Sequence, residues 1–135
     1  IGPTAALKTL EVMENIESWK LITNIGKKVR SSWSDLFKKH SIEFSISGIP
    51  SLSSYAFKKN DLEIQTLITQ EMLKKGFLAS NRFYACIAHN DKLLDSYFNA
   101  FDETLKSISK IHDNKFEIVN RLNGPVRHSG FKRLN

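Results

Sequence analysis

From Ile42 the apolar residues recur at every second position instead of every third or fourth, and this switch decides what the chain can fold into. Before it, Leu7, Leu10, Met13 and Ile16 follow helical spacing. Leu21 or Ile22, Ile25, Val29, Trp33, Leu36 and Phe37 do so again, with lysines between them. The pattern predicts a helix over residues 4–15 with Pro3 at its first turn, a break at Glu17 and Ser18, and a second amphipathic helix ending near His40. Trp19 and Trp33 fall on or beside the second stripe and read as core or interface packing. After the switch, Ile42, Phe44 and Ile46 alternate with Glu43, Ser45 and Ser47, which puts the apolar set on one face of a strand. Gly48-Ile49-Pro50-Ser51 supplies a turn, and Leu52 to Phe57 returns as an antiparallel partner before the polar loop at Lys58 to Asp61. A lone hairpin rarely survives in water, so helices must lie against it.

Helical spacing resumes at Ile64, Leu67, Ile68 and Met72, with Asn60 and Glu63 in a capping arrangement and Gly76 as the left-handed stop. Phe83 to Ala88 carries too little polarity to face water on both sides and reads as a short buried strand. Asn90 or Asp91 starts a last helix, whose buried face holds Leu94, Tyr97 or Phe98, Phe101, Leu105 and Ile108. Past His112 regularity fades. The expected class is α+β: a small, mostly antiparallel sheet packed by helices, over residues 1–112, followed by a tail over 113–135.

A chain of 135 residues, 41% hydrophobic and 25% charged, suits one globular domain. No apolar run nears the roughly 20 residues of a membrane span, and the first residues lack a basic-then-apolar leader. The single cysteine, Cys86, forms no internal disulfide, which agrees with a reducing, cytoplasmic setting. A first residue Ile1, followed by a helix start, suggests a fragment of something longer. The net charge of +6 raises a nucleic-acid reading. Its distribution argues against one: residues 1–60 hold nine basic and five acidic side chains, 61–112 six and seven, and 113–135 five and two. The alternative function is a free-standing basic module that binds RNA or an acidic protein through Lys27, Lys28, Arg30, Lys38, Lys39 and the tail.

Chemistry is sparse. His40, His89, His112 and His128 lie in different expected elements with no second histidine at ligand spacing, so no metal site is expected. Cys86 reads as packing, and His89 as a partner for backbone or a cap. No lysine, histidine pair or carboxylate pair has a catalytic setting, and no phosphate-cradling glycine pattern is present. The most site-like feature is the polar loop Ser80-Asn81-Arg82, between a helix end and a strand, where a ligand could meet a fixed rim.

Five stretches carry a resemblance. Ile1 to Leu10 (IGPTAALKTL) is similar to the segment of class III, glutamate-1-semialdehyde aminomutase-like aminotransferases where the chain leaves the large pyridoxal phosphate (PLP) domain. Leu67 to Ala79 (LITQEMLKKGFLA) resembles the same family's helix, glycine stop and approach to its final strand, and Ala88-His89 before a helix matches its usual close. The hairpin around Ile46 to Pro50 falls where that family places the first strands of its C-terminal domain, and Leu122 to Asn135 is similar to a tail of an aminomutase-like subgroup. The resemblance implies the C-terminal small domain of a fold-type I PLP enzyme, with residues 1–15 as the linking helix. It further implies that PLP and its Schiff-base lysine belong to a large partner domain, with no catalytic or cofactor-binding residue here and none of the cofactor bound by this chain alone. Its role would be to support a homodimer and to form a wall of the substrate cleft through Ser80, Asn81, Arg82 and Tyr84. The stretch from Ala79 to Ala88 is shorter than in typical aminomutases, and no residue takes the place of their gating carboxylate.

Overall fold

The computed structural model describes residues 1–130; the last five positions of the expected tail, 131–135, lie outside the described residues. The elements run α1 (Gly2–Asn15), α2 (Ser18–Lys39), β1 (Phe44–Ile49), β2 (Leu52–Phe57), α3 (Asp61–Lys74), β3 (Arg82–Tyr84), α4 (Asp91–Ile108) and α5 (Lys115–Asn120). The strands form one antiparallel sheet in the order β1-β2-β3. Helices pack on one face of it, so the α+β class expected from the period switch is the observed one.

Alternation along β1 and β2 divides the sheet into two faces. Phe44, Ile46, Tyr55 and Phe57 point into the core with Phe83, while Ser45, Ser47, Ile49, Leu52 and Ser54 point out. The core closes on Phe37 of α2, whose ring lies 4.9 Å from Phe44, 5.2 Å from Tyr55, 5.3 Å from Phe57 and 5.7 Å from Phe101 of α4. Burying an aromatic of this size stabilises the fold by about 1.5–3 kcal/mol, and edge-to-face contacts add about 0.5–1.5 kcal/mol.

Close approach also fixes α2 to the hairpin. Gly26 is buried in mid-helix, and a Cβ there would sit 1.8 Å from the carbonyl oxygen of Pro50 in the β1-β2 turn. Arg30 donates from Nη1 to the Gly48 carbonyl at 2.6 Å, four residues further along the same helix. Gly48 itself has φ +84° and its missing side chain makes room for the Leu52 carbonyl.

The ends of the helices follow their local chemistry. Gly76 adopts φ +86°; its N–H reaches the Leu73 carbonyl and the Phe77 N–H reaches Met72, both at 3.0 Å, which closes α3 in a Schellman motif. Asn90 caps α4, its side chain accepting from the Leu93 N–H at 2.9 Å. The break before α2 is a left-handed Glu17 with φ 47°.

Three expectations are corrected. Asn60 does not cap α3: it is left-handed (φ 49°), and its amide donates instead to the His112 carbonyl. The stretch Phe83 to Ala88 is not a buried strand. Only Arg82–Tyr84 pairs, as a short edge with Tyr84 exposed, because its partner β2 begins at Leu52, opposite Tyr84. Regularity does not end at His112. Asn114 caps α5, Ile118 is fully buried, and the exposed Lys115 ammonium holds the buried Glu63 carboxylate at 2.6 Å. Of the two tryptophans read as core or interface packing, Trp33 is in the core and Trp19 is half exposed.

Two outcomes follow from these contacts. Gly26→Ala is expected to lower stability by about 2–3 kcal/mol in urea unfolding, despite alanine's better helix propensity, because the Pro50 backbone cannot move aside. Gly124→Ala, with nothing within 4 Å, serves as the neutral control. The hydrogen bond from Lys115 holds the Glu63 carboxyl below its ordinary value, against burial that pushes it up. A lowered folded pKa adds stability above the unfolded value, and that gain is lost as pH falls through the folded one. Glu63→Gln should therefore be less stable than the parent at about pH 7, with the gap closing towards about pH 3.

Candidate functional site

Where α3 stops at Gly76, the chain crosses the end of α4 and turns into β3, leaving a cleft of about 520 Å³. Phe77, left half-buried by the Schellman turn, packs edge-on against Tyr97 at 5.8 Å and forms one wall. Phe83 and His89 form another, their rings 4.9 Å apart. The floor is Trp33, whose indole N–H donates to the Tyr97 hydroxyl at 2.9 Å. Burial pushes the Tyr97 phenol well above its ordinary value, so it stays neutral and accepts that bond throughout the physiological range.

His89 uses Nδ1 to accept from the Cys86 backbone N–H at 3.0 Å, so the neutral ring carries its proton on Nε2. The expected backbone role for His89 is thus observed. Cys86 is exposed in the turn that His89 closes, which corrects its reading as packing.

The four residues singled out in the loop lie at two surfaces, which Ser80 and Arg82 share. Ser80, Arg82 and Tyr84 line the cleft, and Asn81 does not. Ser80 spends its hydroxyl within the loop, accepting from the Arg82 N–H at 3.1 Å. Arg82 and Tyr84 are exposed on the rim, and Arg82 has no side-chain partner among the described residues. Asn81 faces a second groove with Arg127 and His128. Its carbonyl accepts from the Tyr55 N–H at 3.0 Å and its amide donates to the Tyr55 carbonyl at 3.2 Å, so it extends the sheet by one side-chain rung.

Sequence reading did not bring Phe77, Phe83, His89 and Tyr97 to the loop. The available signal was Phe77 directly after a helix-ending glycine, where an apolar residue packs back on the turn it leaves. The cleft is apolar and aromatic, with Arg82 as its cation and the His89 imidazole on one wall, an arrangement that can seat a small amphipathic anion or close against another surface. It does not fit PLP by itself. No lysine lines it, and every described lysine is exposed, whereas a Schiff-base lysine must stand within a closed cofactor pocket.

Of the cations that could form a basic interface, Lys28 is paired with Asp91 at 2.8 Å, Lys39 with Asp102 at 2.7 Å, and Arg30 with the Gly48 carbonyl. Among the described residues no group of three or more His, Cys, Asp or Glu could hold a metal ion, and no helix is long and apolar enough to cross a membrane.

No family model and no curated protein matches the chain. Among solved structures it is similar to the PLP internal aldimine form of the FumI protein of Sphingopyxis sp. MTA144, with a TM-score of 0.73 and 17% identity. The match covers 82% of this chain and 27% of that one, so the chain spans about a quarter of its neighbour's length. At this identity the likeness is one of fold: the small sheet with its packed helices is shared with part of a PLP protein.

Tyr97 and Tyr55 are expected to respond oppositely to loss of the hydroxyl. Tyr97→Phe leaves the Trp33 N–H buried without its acceptor and should cost about 1–3 kcal/mol in urea unfolding. The Tyr55 hydroxyl is buried with no hydrogen-bond partner among the described residues. Tyr55→Phe should therefore leave stability unchanged or raise it by up to about 1 kcal/mol.

Proposed function

We propose that the chain is the C-terminal small domain of a PLP-dependent aminotransferase or aminomutase of the glutamate-1-semialdehyde aminomutase-like kind. In this reading it forms one wall of the substrate cleft and contributes to a homodimer. The observation that carries it is the fold likeness to a quarter of a PLP protein's chain, joined to the resemblance of Leu67 to Ala79 and Ala88-His89. PLP supplies the electron sink for moving an amino group, and the residues that bind it belong to the large domain. This chain's own share is the rim: the Arg82 guanidinium binds an anionic substrate group, and Tyr84, Phe83 and Phe77 exclude water around it.

Two uncovered surfaces support this reading. Ile49, Leu52 and Tyr84 are cross-strand neighbours in one row on the outer face of the sheet, all of them exposed. In α1 no residue is buried, and Leu7, Leu10 and Met13 are exposed along it. Apolar rows of this kind mark surfaces that another layer covers, here the large domain and the dimer mate.

The test uses the natural gene product that contains these residues. It is expected to purify with lysine-bound PLP, detected by a visible absorbance that borohydride abolishes. Arg82→Ala should leave that absorbance unchanged while raising KM for the amino substrate about tenfold or more. A product free of PLP rules the reading out, and so does retention on RNA that salt reverses together with absence of the cofactor.

A further inference from the structure

The segment after α5 is not a loose end. Gln70 of α3 brackets its start, donating from Nε2 to the Arg121 carbonyl at 2.9 Å and accepting from the Asn123 N–H at 2.7 Å. One turn back along the same helix, the Thr66 hydroxyl accepts from the Arg127 N–H at 3.1 Å. The Arg127 guanidinium then donates from Nη1 both to Gln65 Oε1 at 2.8 Å and to Asn81 Oδ1 at 2.9 Å. Thr66 and Gln70 share a face of α3 with the buried Gln65 beside it, so residues 121–127 lie across that helix as a strap ending on the loop that carries the cleft rim.

Both acceptors of the guanidinium are fixed in orientation by their other ends. The Gln65 side chain is 3% exposed and its amide donates to Asp61 Oδ1 at 2.6 Å, which turns Oε1 towards Arg127. The Asn81 amide donates to the Tyr55 carbonyl, which turns Oδ1 the same way. Asn81 is also the last rung between β2 and the three-residue edge strand β3. A strand that short holds little of its own position. Fixing Asn81 fixes where Arg82 and Tyr84 leave the sheet.

We infer that Arg127 is a positioning residue for the cleft rim: the strap delivers its guanidinium to Asn81, and this contact holds Ser80 to Tyr84 against β2. Arg127 acts through Asn81 and does not line the cleft. A strap so built makes the rim responsive to whatever engages the tail, since release of one guanidinium frees the last rung of the sheet.

The experiment is residue-resolved amide hydrogen exchange on the natural gene product that contains these residues, comparing the parent with Arg127→Gln and Arg127→Lys. The reporters are the Tyr55 N–H, which donates to the Asn81 carbonyl, and the Phe83 amide, which lies in the next hydrogen-bonded pair of the ladder. Loss of the charge-assisted contacts in Arg127→Gln is expected to speed exchange at these sites about tenfold. Exchange at Phe101 and Leu105, and the urea midpoint, should stay at parental values. Arg127→Lys, a point charge that cannot bridge both oxygens as a planar fork does, should fall between the two. Unchanged exchange at Tyr55 in Arg127→Gln overturns the inference. So does an increase shared equally by the core amides, which would make the residue a general stabiliser. The measurement needs neither cofactor nor substrate, so its outcome is independent of the proposed enzyme role.

Discussion

The ring of Phe37 is where the fold is tied. It is wholly buried and meets Phe44 on β1, Tyr55 and Phe57 on β2, and Phe101 on α4, so one side chain of α2 sets the distance between the sheet and two helices. A two-stranded hairpin gains too little from its own pairing to persist, and here its inner face is completed by these rings. One turn before Phe37, Trp33 extends the same packing towards the cleft, edge-on to Tyr55 at 4.9 Å, and its N–H orients Tyr97. The floor of the candidate site is therefore the edge of the core, and its geometry is as rigid as the core is.

What could be read in advance was what depends on local chemistry. The stripe of α2, the alternation of β1, the stop at Gly76 and the cap at Asn90 each rest on a few neighbouring residues. What could not be read depends on partners remote in sequence. The apolar run from Phe83 to Ala88 has the composition of a buried strand, but β2 offers no residues to pair with beyond Leu52. The Ala85 N–H instead reaches the Ser51 carbonyl, and the chain turns. Asn60 has a capping residue's chemistry, yet the step from β2 into α3 requires a left-handed residue there, which sends its side chain to His112. Helix α5 has only six residues, too few to display a period, and is held through Ile118 and the Lys115–Glu63 pair.

The same division runs through the candidate site. Ser80, Arg82 and Tyr84 stand in the cleft as the loop's composition suggested. Asn81, chemically the equal of its neighbours, is spent on Tyr55, which lies 26 positions earlier. Its remaining oxygen is taken by Arg127, 46 positions later. Neither separation leaves a mark on local sequence. The aromatic walls were likewise visible only as core candidates, since Tyr97 and Phe83 serve the core with one edge and the cleft with the other.

The outer face of the sheet carries a further consequence. Ser47 and Ser54 face each other across β1 and β2 with their hydroxyls 2.9 Å apart, and Ser45 stands opposite Ala56 in the next row. Side chains this short leave the peptide planes themselves near the surface. A covering layer could thus settle closer than the roughly 10 Å usual between stacked sheets. The two hydroxyls share one hydrogen bond, which leaves one O–H free to donate to that layer. At the far end, Ile49, Leu52 and Tyr84 rise higher than the serines, so the face is a ramp and not a plane. A ramp admits a partner in one tilt.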